Sequence, residues 1–131
     1  MKKARFSIVP LVKTLADEAR LRILFALLDG PMCVCHLVEL LELPFPAVSR
    51  HLMILKKAGV LQSKKNGRWN TYSINREDPP PWGEELFALL VRASENDPAA
   101  KTDRALAAEI RKAVPGHLCD LLENELRDEM P

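Results

Sequence analysis

Cys33 and Cys35 stand one residue apart in a chain of 131 residues that carries one further cysteine, Cys119. Two thiols at this spacing suit a soft ion or reversible redox chemistry better than a structural disulfide. Three cysteines cannot all pair within one chain, and reducing surroundings leave thiols available to a metal. His36 adjoins Cys35 and His117 lies near Cys119, so a mixed cysteine and histidine site for zinc or cadmium is a second option. Cys35-His36 also raises a thiol enzyme, but sequence neighbours rarely align as nucleophile and base, and no orienting third group is evident. The reading is therefore non-enzymatic.

The elements that must position these thiols are short helices broken by turn signals. A first helix is expected over residues 7 to 16, and Asp17 can cap a second that runs to Leu28, with Leu21, Leu24, Phe25 and Leu28 on one stripe. Gly30-Pro31 stops it. A third helix is expected from Cys33 to Glu42, with Val34, Leu37, Val38 and Leu41 on its apolar face. Inside a regular helix, residues i and i+2 point about 200° apart, so Cys33 and Cys35 could clasp one ion only if the first turn distorts. The partial positive charge of a helix start favours thiolates there.

Leu43-Pro44-Phe45-Pro46 breaks the chain, and Pro46 suits the first position of a fourth helix that ends at Ala58 before Gly59. Val48, His51, Leu52 and Leu55 form its inward stripe, which leaves Arg50, Met53, Ile54 and Lys57 on the other side. A cationic helix reached by a short turn from its predecessor suits a DNA major groove. Arg50, Ile54 and Lys57 are the candidates for the groove, Ser49 for phosphate, and His51 for a core or phosphate-facing imidazole. A hairpin should follow, with Asn66-Gly67 as a two-residue turn between residues 60–65 and 68–74. That register sets Leu61 opposite Tyr72, Lys64 opposite Trp69, and Lys65 opposite Arg68. Like charges facing each other suggest a tip where Lys64, Lys65 and Arg68 grip phosphate.

Charge divides the chain in the same sense. Residues 1–76 hold 13 Lys and Arg against 5 Asp and Glu, whereas residues 77–131 hold 6 against 13. The first part can approach a polyanion and the second is repelled by one. The boundary falls at the stiff connector Asp78-Pro79-Pro80-Pro81-Trp82. Aromatics make up 5% of the chain, too few to favour stacking on single strands. With 47% hydrophobic residues and no run of about 20 apolar ones, a non-membrane globular protein of the cytoplasm is expected. Met1-Lys2-Lys3-Ala4-Arg5 has neither the apolar stretch nor the cleavage site of a leader.

These segments resemble the ArsR/SmtB family over roughly Leu11 to Leu90. The resemblance rests on Leu15-Ala16-Asp17-Glu18-Ala19-Arg20-Leu21-Arg22-Ile23-Leu24, on Cys33-Val34-Cys35, on Val48-Ser49-Arg50-His51-Leu52-Met53-Ile54-Leu55 and on Asn66-Gly67-Arg68. It implies a mainly α fold with a β-hairpin wing, a winged helix-turn-helix. It also implies a homodimeric repressor on double-stranded operator DNA, released when a metal or metalloid binds. The arsenical branch looks closest, which implies arsenite or antimonite as inducer, with zinc or cadmium as the lesser alternative. That branch commonly has an acidic residue where this chain has His36 and a third cysteine where it has Val38.

The resemblance implies a dimer interface on a fifth helix, which carries Leu86, Leu89, Leu90 and Ala93. Residues 1–94 would form the DNA-binding and dimerisation domain and 95–131 a helical extension. In that extension Asp97-Pro98 starts a helix to Ala113, and Leu118, Leu121, Leu122 and Leu126 mark a last one flanked by Cys119. Cys119 either packs there or supplies the third thiolate beside Cys33 and Cys35. Two other functions stay open: a winged-helix regulator answering thiol oxidation, and a metal-buffering or protein-interaction module without specific DNA binding.

Overall fold

The computed structural model describes residues 6–66 and 69–114, with the side chains of Asn66 and Trp69 left aside. It is mainly helical with one small sheet: α1 (Val9–Leu15), α2 (Glu18–Leu27), β1 (Met32–Cys33), α3 (Val34–Leu41), α4 (Phe45–Lys57), β2 (Leu61–Asn66), β3 (Trp69–Ile74), α5 (Gly83–Asn96) and α6 (Pro98–Ala113). Arg68, His117, Cys119 and the expected last helix lie outside the described residues.

Local chemistry sets the helix ends. The Asp17 carboxylate accepts the Arg20 N–H at 3.1 Å and caps α2. That bond holds its carboxyl below the ordinary range. Asp97 caps α6 through the Ala99 N–H at 3.0 Å. At the end of α4, Gly59 adopts φ +81°, its N–H donates to Lys56 O at 3.0 Å, and Val60 N–H donates to Leu55 O at 3.1 Å. This paired closure needs a left-handed residue, and glycine takes it without penalty. Boundaries shift from expectation by a residue or two, among them the end of α3 at Leu41 on a left-handed Glu42 and the start of α4 at Phe45, with Pro46 at its second position.

One core joins Ile23, Leu24 and Leu27 of α2 to Leu37 and Leu40 of α3, Val48, Leu52 and Leu55 of α4, and Leu86, Phe87 and Leu90 of α5. Each such side chain contributes roughly 1.5–3 kcal/mol when fully buried. The expected α5 stripe holds only in part, because Phe87 turns inward and Leu89 is 61% exposed. Ala107 and Ile110 of α6 enter the same core.

Three arginines fasten α6 to the body. Arg22 forks onto Asp103 with two bonds of 3.0 Å, and Arg104 forks onto Asp29 with two of 2.7 Å. Arg111 donates to the carbonyl of Ala26 (2.8 Å) in the last turn of α2 and to those of Gly30 and Pro31 (3.3 Å) in the loop that follows. Asp103 is buried, so Asp103→Ala strands a half-buried guanidinium and is expected to cost about 1–3 kcal/mol of unfolding free energy. Urea titration of variant and parent measures that difference, and equal midpoints would deny the pair any weight.

The sheet runs β1-β3-β2, antiparallel throughout. Its register corrects the expected hairpin. Leu61 faces Ile74, Lys64 faces Thr71, Lys65 faces Asn70, and Asn66 faces Trp69. The pairs Leu61–Tyr72, Lys64–Trp69 and Lys65–Arg68 do not form. The slip of two residues keeps every side chain on its expected face, since the strand period is two. It also brings Leu61 (2% exposed) against Ile74 (5%) in the core and relieves the repulsion of facing cations.

Candidate functional site

Cys33 is not the first helical residue of α3. It ends β1 with extended backbone (φ −92°, ψ 171°), pairs with Thr71 of β3, and serves as the N-cap of α3. Cys35 is then the second helical residue and His36 the third. This removes the premise that the two thiols diverge. An extended N-cap swings its side chain over the first turn, so the sulfurs lie 3.5 Å apart with no unwinding. The separation far exceeds the ~2.05 Å of a disulfide, so the two sulfurs are not joined to each other.

His36 completes the cluster. Its Nδ1 lies 3.2 Å from Cys33 Sγ, and one donor atom from each of the three residues falls within 4.8 Å of the others. All three residues are buried. Nδ1 also accepts the Cys33 backbone N–H at 3.1 Å, while Nε2 meets the carbonyl of Val114. A nitrogen that accepts from an amide has its lone pair exposed, so the proton sits on Nε2 and is donated to Val114. Burial pushes the imidazole below its ordinary range, against the opposing pull of that carbonyl. Val114, just past the end of α6, packs against the cysteine pair.

The sequence marked the dithiol but not its strand or its closure by α6. Two residues carry no periodicity, and the partner strand lies some forty positions downstream. Among the expected metal residues, Cys33 and Cys35 come together, and Cys119 lies outside the described residues.

A second surface is cationic. Helix α4 exposes Arg50, Met53, Lys56 and Lys57, with Ser49 half-buried beside them; Lys64 and Lys65 stand exposed on β2. Lys56 was not singled out in the sequence, and its Nζ donates to Ser63 Oγ at 2.7 Å, tying helix to wing. His51 is half-buried, with Nδ1 3.3 Å from an Arg20 terminal nitrogen. Arg20 Nε in turn donates to Thr14 O at 2.6 Å, so His51 links α4 to α2. Ile54 and Lys57 both line a groove of about 460 Å³ with Leu11 of α1, Pro80, Pro81 and Trp82.

Residues 17–63 match the family described as bacterial regulatory proteins of the arsR family. An HTH-type transcriptional regulator of Methanocaldococcus jannaschii is 48% identical over 63 residues, 47% of this chain and 71% of the relative. The arsenical resistance operon repressor of Escherichia coli K12 is 40% identical over 80 residues, 60% of this chain and 68% of the relative. This chain belongs to the ArsR family. Solved ArsR-like structures agree on the fold. Reduced HlyU of Vibrio cholerae superposes with a TM-score of 0.59 at 30% identity, over 69% of this chain and 87% of that one. The homodimeric winged helix-turn-helix domain Mb0332 of Mycobacterium bovis gives 0.54 at 25%, over 75% and 94%. The AntR antimony-specific repressor gives 0.52 at 28%, over 73% and 91%. The protein is thus an ArsR-family transcriptional repressor with a winged helix-turn-helix, a DNA-binding regulator and not an enzyme. Among the described residues, no helix is long and apolar enough to cross a membrane.

Proposed function

We propose that this ArsR-family chain acts in the cytoplasm as a homodimer on double-stranded operator DNA. Trivalent arsenic or antimony, bound to the thiolates of Cys33 and Cys35 with Cys119 as third sulfur, releases it. The observation that carries the reading is the buried sulfur pair, 3.5 Å apart, with Cys33 on the strand bonded to the wing and Cys35 in the first turn of α3. Trivalent arsenic favours three thiolates in a pyramid, and the pair offers two of them already converged. The arsenical and antimony repressors among its relatives point to the same ligand class.

The route from sensor to DNA follows the sheet. Cys33 faces Thr71, and Thr71 faces Lys64, so the three form one cross-strand row from thiol to wing cation. Drawing Cys33 toward a ligand displaces β1 and, through β3, the hairpin bearing Lys64 and Lys65. If ligand and operator favour different placements of the wing, each weakens the other by the same factor.

Arg50, Ile54 and Lys57 would reach the groove, Ser49, Lys64, Lys65 and Arg68 the phosphates, and His51 would support the helix from behind. Lys64→Ala is expected to weaken binding about equally on all sequences and to reduce the salt slope by about 1. Titrating operator complexes over a range of salt concentrations reads both, and a change confined to one base position would assign Lys64 to sequence readout.

The test of function is operator release by arsenite or antimonite from the reduced protein, followed by anisotropy. Release by peroxide with no response to arsenite under reducing conditions would favour thiol oxidation. A protein that never distinguishes operator from random duplex would have neither role.

A further inference from the structure

We infer that the groove between α1, the end of α4 and the proline connector is a binding site for a small amphipathic carboxylic acid. Trp82 is its apolar wall and Lys57 the partner of the carboxylate. The effect on DNA rests on the reading of Lys57 as a groove-facing cation, whereas the binding itself does not.

The groove holds about 460 Å³, inside the range of about 300–1,000 Å³ typical of small-molecule pockets. Leu11, Ile54, Pro80, Pro81 and Trp82 give it an apolar lining, and Lys57, itself exposed, is the one charged side chain among the described residues that form it. Among the described residues, no carboxylate pairs with that ammonium. The Thr14 hydroxyl is already engaged, since it donates to Pro10 O at 2.9 Å. An apolar cleft with one unneutralised cation at its rim selects an uncharged body that carries a single anion.

The wall of the groove is built ahead of any ligand. Gly83 N–H donates to Pro80 O at 2.8 Å, closing a turn with Pro81 and Trp82 at its centre. Trp82 adopts φ +66° and ψ 10°, the place that a type II turn reserves for glycine. A bulky side chain in left-handed backbone is strained, and such residues gather at ligand clamps and switches. Packing holds it there. A Cβ on the buried Gly83 would meet Pro79 at 2.7 Å and Pro80 at 2.9 Å, and one on Gly59 would meet Pro80 at 3.6 Å, so the connector lies tight against the starts and ends of its neighbouring helices. The groove also differs from the apolar one toward α5. Pro10 and Thr14 line the first, Ile8, Val12 and Leu15 the second, and Leu11 and Trp82 stand between them. A carboxylate on Lys57 withdraws that cation from DNA, and a body seated on Ile54 engages a second residue of the same helix. Ligand and operator then weaken each other by the same factor.

The probe is 4-phenylbutyrate, with 4-phenylbutyramide as its uncharged twin, added to the full chain carrying Trp69→Phe, in which Trp82 is the one tryptophan. The expected result is a saturable change in Trp82 emission, with the acid bound about fivefold more tightly than the amide. Lys57→Gln should remove that preference and keep the amide affinity, while Ala58→Leu, which fills the groove, should abolish binding of both. No saturable response of Trp82 overturns the proposal, and a partner subunit covering the groove would give that result. Equal affinity for acid and amide, a preference that survives Lys57→Gln, or unaltered binding in Ala58→Leu overturns it as well. Lys57→Gln decides the matter even if the Ala58 variant folds poorly. Anisotropy on labelled operator reads the coupling: saturating 4-phenylbutyrate should weaken operator binding by about tenfold. Bound 4-phenylbutyrate that leaves operator affinity unchanged overturns the coupling and removes Lys57 from the DNA interface, while the binding site stands.

Discussion

Cys33→Ser is expected to keep operator affinity close to that of the parent while raising the arsenite needed for half-release by about a hundredfold or more, since lost outer-shell partners alone cost 10–100-fold. Position 33 is fully buried, so the substitution must also be tolerable to the fold. Serine is close to cysteine in shape, and its hydroxyl can donate to His36 Nδ1, which lies 3.2 Å from the sulfur it replaces. A serine oxygen binds trivalent arsenic weakly by comparison with thiolate, so folding and DNA binding separate cleanly from sensing. Anisotropy on labelled operator gives both quantities from one titration, and unchanged half-release would remove Cys33 from the sensor. Cys35→Ser should act alike in ligand response but less on coupling. Cys35 lies within α3, whereas Cys33 alone is bonded into the sheet that bears the wing.

That difference between two cysteines in one tripeptide marks how far the sequence could be read. The helical frame was legible wherever a residue type has one local use: Asp17 before an apolar period caps a helix, and Gly59 after Ala58 ends one. The recognition-helix stripe of Val48, Leu52 and Leu55 was legible because periodicity of 3.6 is self-contained. What failed depended on residues distant in the chain. Asn66-Gly67 is a strong turn signal, yet burying Leu61 against Ile74 outweighs it and sets Asn66 opposite Trp69. Local pattern places Cys33 in a helix, because its strand exists only through Met32 and Cys33 pairing with Tyr72 and Thr71. The clasp of His36 by Val114 spans 78 positions and leaves no trace in local pattern. His36 itself had a readable signal, the three-residue interval from the N-cap, once Cys33 is placed at the cap.

The face of α1 and α5 carries the other large effect. Val12 is 53% exposed and Leu89 61%, and together with Ile8, Leu15 and Trp82 they line an open apolar groove between the two helices. Such a groove is what a self-complementary interface would cover, and a homodimeric domain is among the chain's structural neighbours. Leu89→Glu should therefore convert the proposed homodimer to a folded monomer. In one chain the new carboxylate stands in water and costs the fold little; across a two-fold axis it meets apolar surface and its own copy, where an unpaired charge is expensive. A monomer engages one half-site instead of two, which lowers operator affinity by about 10²–10⁴ through the lost effective concentration of the second arm. Sedimentation velocity gives the assembly state, and far-UV circular dichroism with a melting curve checks that the monomer is folded. A Leu89→Glu protein that remains dimeric would move the interface elsewhere. A monomer that binds operator at parental affinity would show that this repressor does not need two arms to hold its site.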